Sequence, residues 1–268
     1  MKKSIIAGLV VVVLAAIGFI FFGDKEDTKL VVAASSTPHA EILEYVEDIL
    51  EEKGIDLEIR VMDDYIIPNT ATEDGEVDAN YFQHLPYLND FNKERGTHLV
   101  SVAAVHYEPY AIYAGTVKSF DSLKNGDSIA VPNDPTNEAR ALMLLEANGL
   151  IKLAEGKGLE ATPADIVENK LNLKIREMEA ALITGVLDEV ALAVINGNYA
   201  IPAGLEVKDA LAVEDAESEA ATTFANILVV KEGNENNEEI KVLAEVLNSK
   251  EVKEFIENKY NGAVLPTK

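Results

Sequence analysis

From Lys29 onward, short runs rich in Val, Ile and Leu alternate with segments whose apolar residues recur every three or four positions. That alternation leaves few architectures open. A strand followed by an amphipathic helix buries the helix stripe on a sheet face, so repeated strand–helix units build parallel or mixed sheets covered by helices. The chain is therefore read as an α/β protein. Strands are expected at Leu30 to Ala34, Leu57 to Met62, Leu99 to Val105, Ile112 to Ala114, Ile129 to Val131, Leu173 to Arg176, Ala191 to Ile195 and Ile227 to Val230. After the first strand, Ile42, Leu43, Val46, Ile49 and Leu50 fall at helical spacing and Lys53-Gly54 supplies a stop. Pro135 suits a first helical position with Asp134 as N-cap, and that helix carries Ala139, Leu142, Met143 and Leu145 toward a core before Asn148-Gly149. Two helices close the chain, one with Ile240, Leu243, Val246 and Leu247, the other with Val252, Phe255 and Ile256. Asp24 to Thr28, Glu214 to Glu219 and Glu232 to Glu239 have the composition of linkers.

The first 23 residues are a separate object. Lys2 and Lys3 precede an apolar run from Ile5 to Phe22, and at about 1.5 Å per residue its length is close to a bilayer core of about 30 Å. It ends in Phe19-Ile20-Phe21-Phe22-Gly23, without the small-x-small site of a cleaved secretory signal. Residues 1–23 are read as an uncleaved signal anchor, a transmembrane helix, with a cleaved signal peptide as the alternative. Lysines stay on the cytoplasmic side, which places the bulk of the protein on the extracytoplasmic face of the cell membrane. Residues 24–28 form a short linker.

With 23 Lys+Arg against 47 Asp+Glu, the formal charge is −24. A surface so acidic excludes nucleic acid as a partner, because phosphate binding requires a basic face. There is no cysteine, which removes disulfides, thiolate metal centres, thiol catalysis and acylation through a thiol. The phosphate-binding, nucleophile-elbow and H-E-x-x-H motifs are absent as well, so neither an enzyme nor a cofactor is expected. His39, His84, His98 and His106 are scattered and show no metal-ligand spacing, although folding can assemble a site that spacing does not show. No metal is expected, and His98 reads as a surface residue.

Two features point to a binding pocket. Asp78 to Leu88 (DANYFQHLPYL) is dense in aromatic, amide and imidazole groups, in a chain that is only 6% aromatic, and Tyr65 and Asn69 lie just upstream. A plain core would have to satisfy every one of those polar groups, whereas a pocket wall uses them. Arg140 stands about one turn into the helix opened by Asp134-Pro135, where helix N–H groups and a guanidinium together suit a carboxylate. An aromatic core and an exposed helix arginine are the competing readings.

Val31 to Leu43 (VVAASSTPHAEIL), Asp64 to Asn69, Asp78 to Leu88, Val131 to Asn137 (VPNDPTN), Ala191 to Ala200 and Ala225 to Val229 follow in an order that resembles the NlpA/MetQ family of methionine-binding lipoproteins. The resemblance implies a two-lobe, periplasmic-binding-protein-like fold of type II, with lobe 1 at 29–111 plus 225–268 and lobe 2 at 112–224. It implies a monomeric substrate-binding protein that captures L-methionine and delivers it to the membrane permease of an ABC importer. By the same resemblance Arg140 pairs with the ligand carboxylate, Asn196 and Asn226 hydrogen-bond its carboxylate or amino group, and Tyr65, Phe82, His84 and Tyr87 wall the thioether. His84 has a second reading, as a support for a neighbouring tyrosine. The chain departs from the family in lacking the lipobox cysteine, so the apolar segment would take over anchoring, and in reading Tyr110-Ala111 and Thr222-Thr223-Phe224 near the expected crossings between lobes. A methionine-containing dipeptide, another apolar amino acid, a surface adhesin and an enzyme on the same scaffold are the alternatives that remain open.

Overall fold

A computed structural model describes residues 28–217 and 220–268. The expected signal anchor at 1–23 and most of the short linker lie outside the described residues. Among those described, no helix is long and apolar enough to cross a membrane.

The chain begins with β1 (Thr28–Ala34), α1 (Glu41–Glu51), β2 (Ile55–Val61), α2 (Ile67–Glu73), β3 (Ala79–His84), α3 (Leu85–Arg95) and β4 (Leu99–Tyr107). It continues through β5 (Ala111–Ala114), β6 (Ser128–Pro132), α4 (Pro135–Ala147), β7 (Lys152–Leu153), β8 (Ile166–Glu168), β9 (Lys174–Met178), β10 (Leu192–Ile195), α5 (Gly197–Ala200) and β11 (Ala212–Val213). It then returns by α6 (Ala220–Thr223) to β12 (Ala225–Lys231), α7 (Glu238–Leu247), α8 (Lys250–Tyr260) and β13 (Leu265–Pro266). The first and last of these segments form a six-stranded sheet ordered β13-β4-β12-β3-β1-β2, and the middle segment forms a five-stranded sheet ordered β11-β5-β10-β6-β9. Each is mixed: β1 runs parallel to β2 and β3, and β10 parallel to β6, while β12 and β5 pair antiparallel with their neighbours.

Helical periodicity is spent on covering these sheets. The stripe Ile42, Leu43, Val46 and Leu50 of α1 packs with Ile240, Leu243 and Leu247 of α7 and Val252 and Ile256 of α8 over the first sheet. Leu142 and Leu145 of α4 pack on Ile129, Val131, Leu192 and Val194 of the second. The Asp134 side chain accepts from Asn137 N, as an N-cap should, and Asn148 and Gly149, with φ of 72° at the glycine, close α4.

β3 is not among the expected strands. All six of its residues, Ala79 to His84, are buried. β3 is an interior strand, paired by β1 and β12, and both of its faces are covered: Ala79 and Tyr81 pack in the core with α1 and α7, while Asn80 faces Thr72 of α2, so the apolar–polar alternation that marks a half-exposed strand never arises. Its polar groups are satisfied inside the fold: Asn80 Nδ2 donates to Thr72 Oγ1 at 2.7 Å, and Gln83 exchanges hydrogen bonds with Asn69.

Two other expectations are corrected. Glu214 does not belong to a linker, because its carboxylate is buried against Arg140. The Glu232 to Glu239 stretch closes a turn and starts α7, with Asn237 accepting from Ile240 N. The parallel strands β1, β3, β6 and β10 all deliver their C-terminal ends to the space between the two sheets, where open α/β sheets place their sites.

Candidate functional site

One cavity lies where those strand ends meet. Tyr65, Phe82, His84, Tyr87, Arg140, Asn196 and Asn226, the residues expected from sequence, all line it. Gln83, Glu108, Tyr110, Asn137, Gly197 and Asn198 line it too and were not among the expected site residues. Contacts across the cavity join the first sheet's loops to the second's: Tyr65 O–H donates to Asn198 Oδ1 at 2.6 Å, and His84 Nε2 lies 3.3 Å from Asn137 Oδ1.

Arg140 stands at one end. Its Nε donates to Glu214 Oε1 at 2.9 Å, and Nη2 donates to Glu214 Oε2 at 2.5 Å and to the Glu108 carbonyl at 3.0 Å. Three of its five N–H groups are thereby used, and no hydrogen bond engages the two on Nη1 among the described residues. The rings of Tyr110 and Phe224, both near the crossings between the sheets, lie 4.6 and 4.2 Å from the guanidinium carbon and meet on this one side chain. Burial raises the Glu214 carboxyl, but Arg140 and the Tyr107 hydroxyl outweigh it and hold the pKa below the ordinary range. The pair supplies a fixed guanidinium fork at no net local charge.

Glu108 is the cavity's carboxylate. It follows β4 at the crossing between the sheets and is held by His106 Nε2 at 2.9 Å, His39 Nε2 at 3.5 Å and the Asn198 backbone N–H. Each imidazole has a second partner: His39 Nδ1 meets Ser35 Oγ at 2.7 Å, and His106 Nδ1 meets the Tyr81 hydroxyl. His39 Nε2 also faces Asn226 Oδ1 at 2.9 Å, an atom that only accepts, so this nitrogen carries the proton. Burial lowers His39 to about 4 and His106 to about 3, which keeps both neutral, and burial raises Glu108.

Two of the histidines that look scattered in sequence are therefore neighbours, with ring centroids 4.8 Å apart. His39, His106 and Glu108 have the donor set and closeness to hold a metal ion. The hydrogen bonds just described already account for every one of their ring nitrogens. His98 is exposed, beside Glu73.

At the other end the rings of Phe82, Tyr87 and Tyr199 lie 5.9, 5.7 and 5.3 Å from that of Tyr65. Tyr87 O–H donates to the Tyr65 carbonyl at 2.8 Å, which fixes this wall. His84 Nδ1 accepts from Tyr87 N and caps α3, and Nε2 faces Asn137, so His84 offers the cavity a ring rather than a free polar atom. Burial first, and then the charge of Arg140, lower it to about 3.

Gly197 permits the close approach of α5 to the crossing, since a Cβ there would sit 2.5 Å from Glu108 Oε2. Asn137 and Asn198 were legible as motif members, in VPNDPTN and in INGNY after β10. Glu108 and Glu214 carried no such signal, because their roles come from partners 69 and 74 residues away at His39 and Arg140.

The NlpA lipoprotein family model matches residues 30–268. The methionine-binding lipoprotein MetQ of Bacillus subtilis is 42% identical over 99% of both chains. A solved structure from Ruminococcus gnavus is 57% identical with a TM-score of 0.89, covering 90% of this chain and 100% of that one. A nutrient-binding protein from Burkholderia cenocepacia, bound to methionine, is 38% identical with a TM-score of 0.84, covering 89% of this chain and 100% of that one. The fold is thus the two-lobe α/β fold of substrate-binding proteins, and the relatives are binding proteins rather than enzymes. With its family pattern running through the sheets, the crossings and the cavity, this chain belongs to the NlpA lipoprotein family.

Proposed function

We propose that this protein captures L-methionine between its lobes and delivers it to the permease of an ABC importer, held at the extracytoplasmic face of the membrane by its apolar N-terminal segment. One observation carries the reading: a single cavity presents an Arg140 guanidinium with two uncommitted N–H groups, a Glu108 carboxylate and an aromatic wall. An α-amino acid with an apolar side chain matches that set. Its carboxylate meets Arg140 Nη1 and the Asn226 amide, whose Oδ1 is taken by His39 so that Nδ2 is its free end. Asn196 holds Asn137 by its Nδ2 at 2.8 Å and sits on the same side. The ammonium meets Glu108, and a thioether lies against Tyr65, Phe82 and Tyr87, where sulfur against ring edges contributes about 0.3 to 1.5 kcal/mol per contact. The names of the relatives support methionine as that amino acid. The division into lobes at 29–111 plus 225–268 and 112–224 is supported by the membership of the strands in two sheets, although Ala111 already begins β5 of the second.

The test is a thermal-shift panel of the twenty amino acids and methionine dipeptides on protein unfolded and refolded to remove carried ligand. A ligand at about 100 times its Kd adds about 2.7 kcal/mol of stability. L-methionine should give the largest shift. A shift only with a dipeptide or another amino acid moves the specificity, and no shift with any of them refutes the reading.

A further inference from the structure

Among the described residues, only two buried side-chain polar atoms lack a hydrogen-bond partner, and one of them, Asn198 Nδ2, lies in the wall of the ligand cavity. Asn198 is 5% exposed. Its amide is not free to turn. The Tyr65 hydroxyl donates to Oδ1 at 2.6 Å and has no other acceptor among the described residues, so the NH2 end is the one left over; it faces the Tyr199 hydroxyl without the geometry of a hydrogen bond. An unpaired buried donor carries a desolvation cost, and it persists where a ligand is to complete it.

The position of Asn198 narrows what that ligand atom can be. Its side chain is tied to Tyr65, and the rings of Phe82, Tyr87 and Tyr199 surround Tyr65. Arg140, which meets the carboxylate in the proposed pose, is packed instead on Tyr110 and Phe224. The backbone N–H of Asn198 holds Glu108, but its side chain turns to Tyr65 and Tyr199, so the unpaired N–H belongs to the side-chain end of the cavity. We propose that Asn198 is a specificity-determining residue: its Nδ2 donates to an acceptor on the ligand side chain, the thioether sulfur, and Tyr65 sets the orientation of the amide that makes this possible. The inference rests on the methionine reading and deepens it. A thioether is a weak acceptor, and a methylene in its place is none. Norleucine, the methylene analogue of methionine, would fill the same volume and leave Nδ2 buried and unpaired. A polar group left without its partner is what rejects an analogue that fits in every other respect.

The experiment is calorimetric titration of the ligand-free protein, and of Asn198→Ala and Tyr65→Phe, with L-methionine and with L-norleucine. Thermal unfolding without ligand identifies any variant that has lost its fold. The wild-type protein should prefer methionine by roughly tenfold or more, tenfold being about 1.4 kcal/mol. Asn198→Ala should bring the two dissociation constants together, or favour the more apolar norleucine. Tyr65→Phe keeps the ring and loses only the hydroxyl that holds the amide, so it should reduce the preference even if Asn198→Ala does not fold. Equal weakening of both ligands by the variants would place the amide on the carboxylate or in a structural role and overturn the proposal. A wild-type protein that binds both ligands alike would overturn it as well, and one that binds neither would refute the methionine reading itself.

Discussion

Replacing Arg140 by alanine removes two hydrogen bonds to Glu214, at 2.9 and 2.5 Å, and one to the Glu108 carbonyl at 3.0 Å. Glu214, with its side chain 10% exposed, then keeps, among the described residues, only the Tyr107 hydroxyl at 2.6 Å and the Tyr110 N–H at 3.0 Å. Breaking a buried ion pair on one side costs about 3 to 5 kcal/mol, because the remaining charge is uncompensated. The two surviving hydrogen bonds place the expected loss near the lower figure. Affinity falls by a separate route. Two charge-assisted hydrogen bonds from Nη1, at about 1.5 to 3 kcal/mol each, correspond to a loss of about 3 to 6 kcal/mol, or roughly a hundredfold to ten-thousandfold in Kd. The double variant Arg140→Ala/Glu214→Ala distinguishes the two effects. It removes the stranded carboxylate and should recover part of the stability, yet none of the affinity. Urea unfolding of the ligand-free proteins and calorimetric titration with L-methionine measure these quantities. Stability losses that simply add across the two single variants, or an Arg140→Ala affinity within tenfold of wild type, would refute the reasoning.

Gly197→Ala would put a Cβ 2.5 Å from Glu108 Oε2 and 3.0 Å from Glu108 Cβ, so the crossing or α5 must shift and methionine affinity should fall at least tenfold, or about 1.4 kcal/mol; wild-type affinity in this variant would contradict the close packing assigned to the site. Glu138, on α4, faces Glu177 on β9, and burial, then the hydrogen bond and charge of Glu177, raise it from 4.5 to about 8. The folded state therefore holds a proton that the unfolded state has released, and the stability linked to this group is lost as pH rises from about 4.5 through about 8. Glu138→Gln should flatten that part of the pH–stability curve, measured by urea unfolding between about pH 5 and 9; an unchanged slope would show that the two carboxyls do not share the proton.

The strand–helix alternation, the α4 cap at Asp134 and the apolar stripes of α1, α7 and α8 were legible in the sequence, because each is set by residues within a few positions of one another. The same holds for the cavity-lining residues that sit in local motifs at strand ends: His84 at the end of β3, Asn196 after β10, and Arg140 in the first turns of α4. What sequence could not show depends on distant segments meeting. β3 carries no alternation because α1 and α7 cover one of its faces and α2 packs on the other, while β1 and β12 pair its edges, so its strand character exists only within the assembled sheet. Glu214 reads as part of an acidic linker until Arg140, 74 residues earlier, gives its charge a partner. His39 and His106 look isolated until Glu108 draws both imidazoles to one carboxylate. Hydrogen-bond direction is the last thing that only tertiary structure decided. An asparagine in a motif can donate or accept, and Tyr65 against Asn198 and His39 against Asn226 choose which end of each amide is engaged. Backbone propensity and hydrophobic periodicity are local and can be read along the chain, whereas electrostatic and hydrogen-bond complementarity form only when the chain has closed on itself.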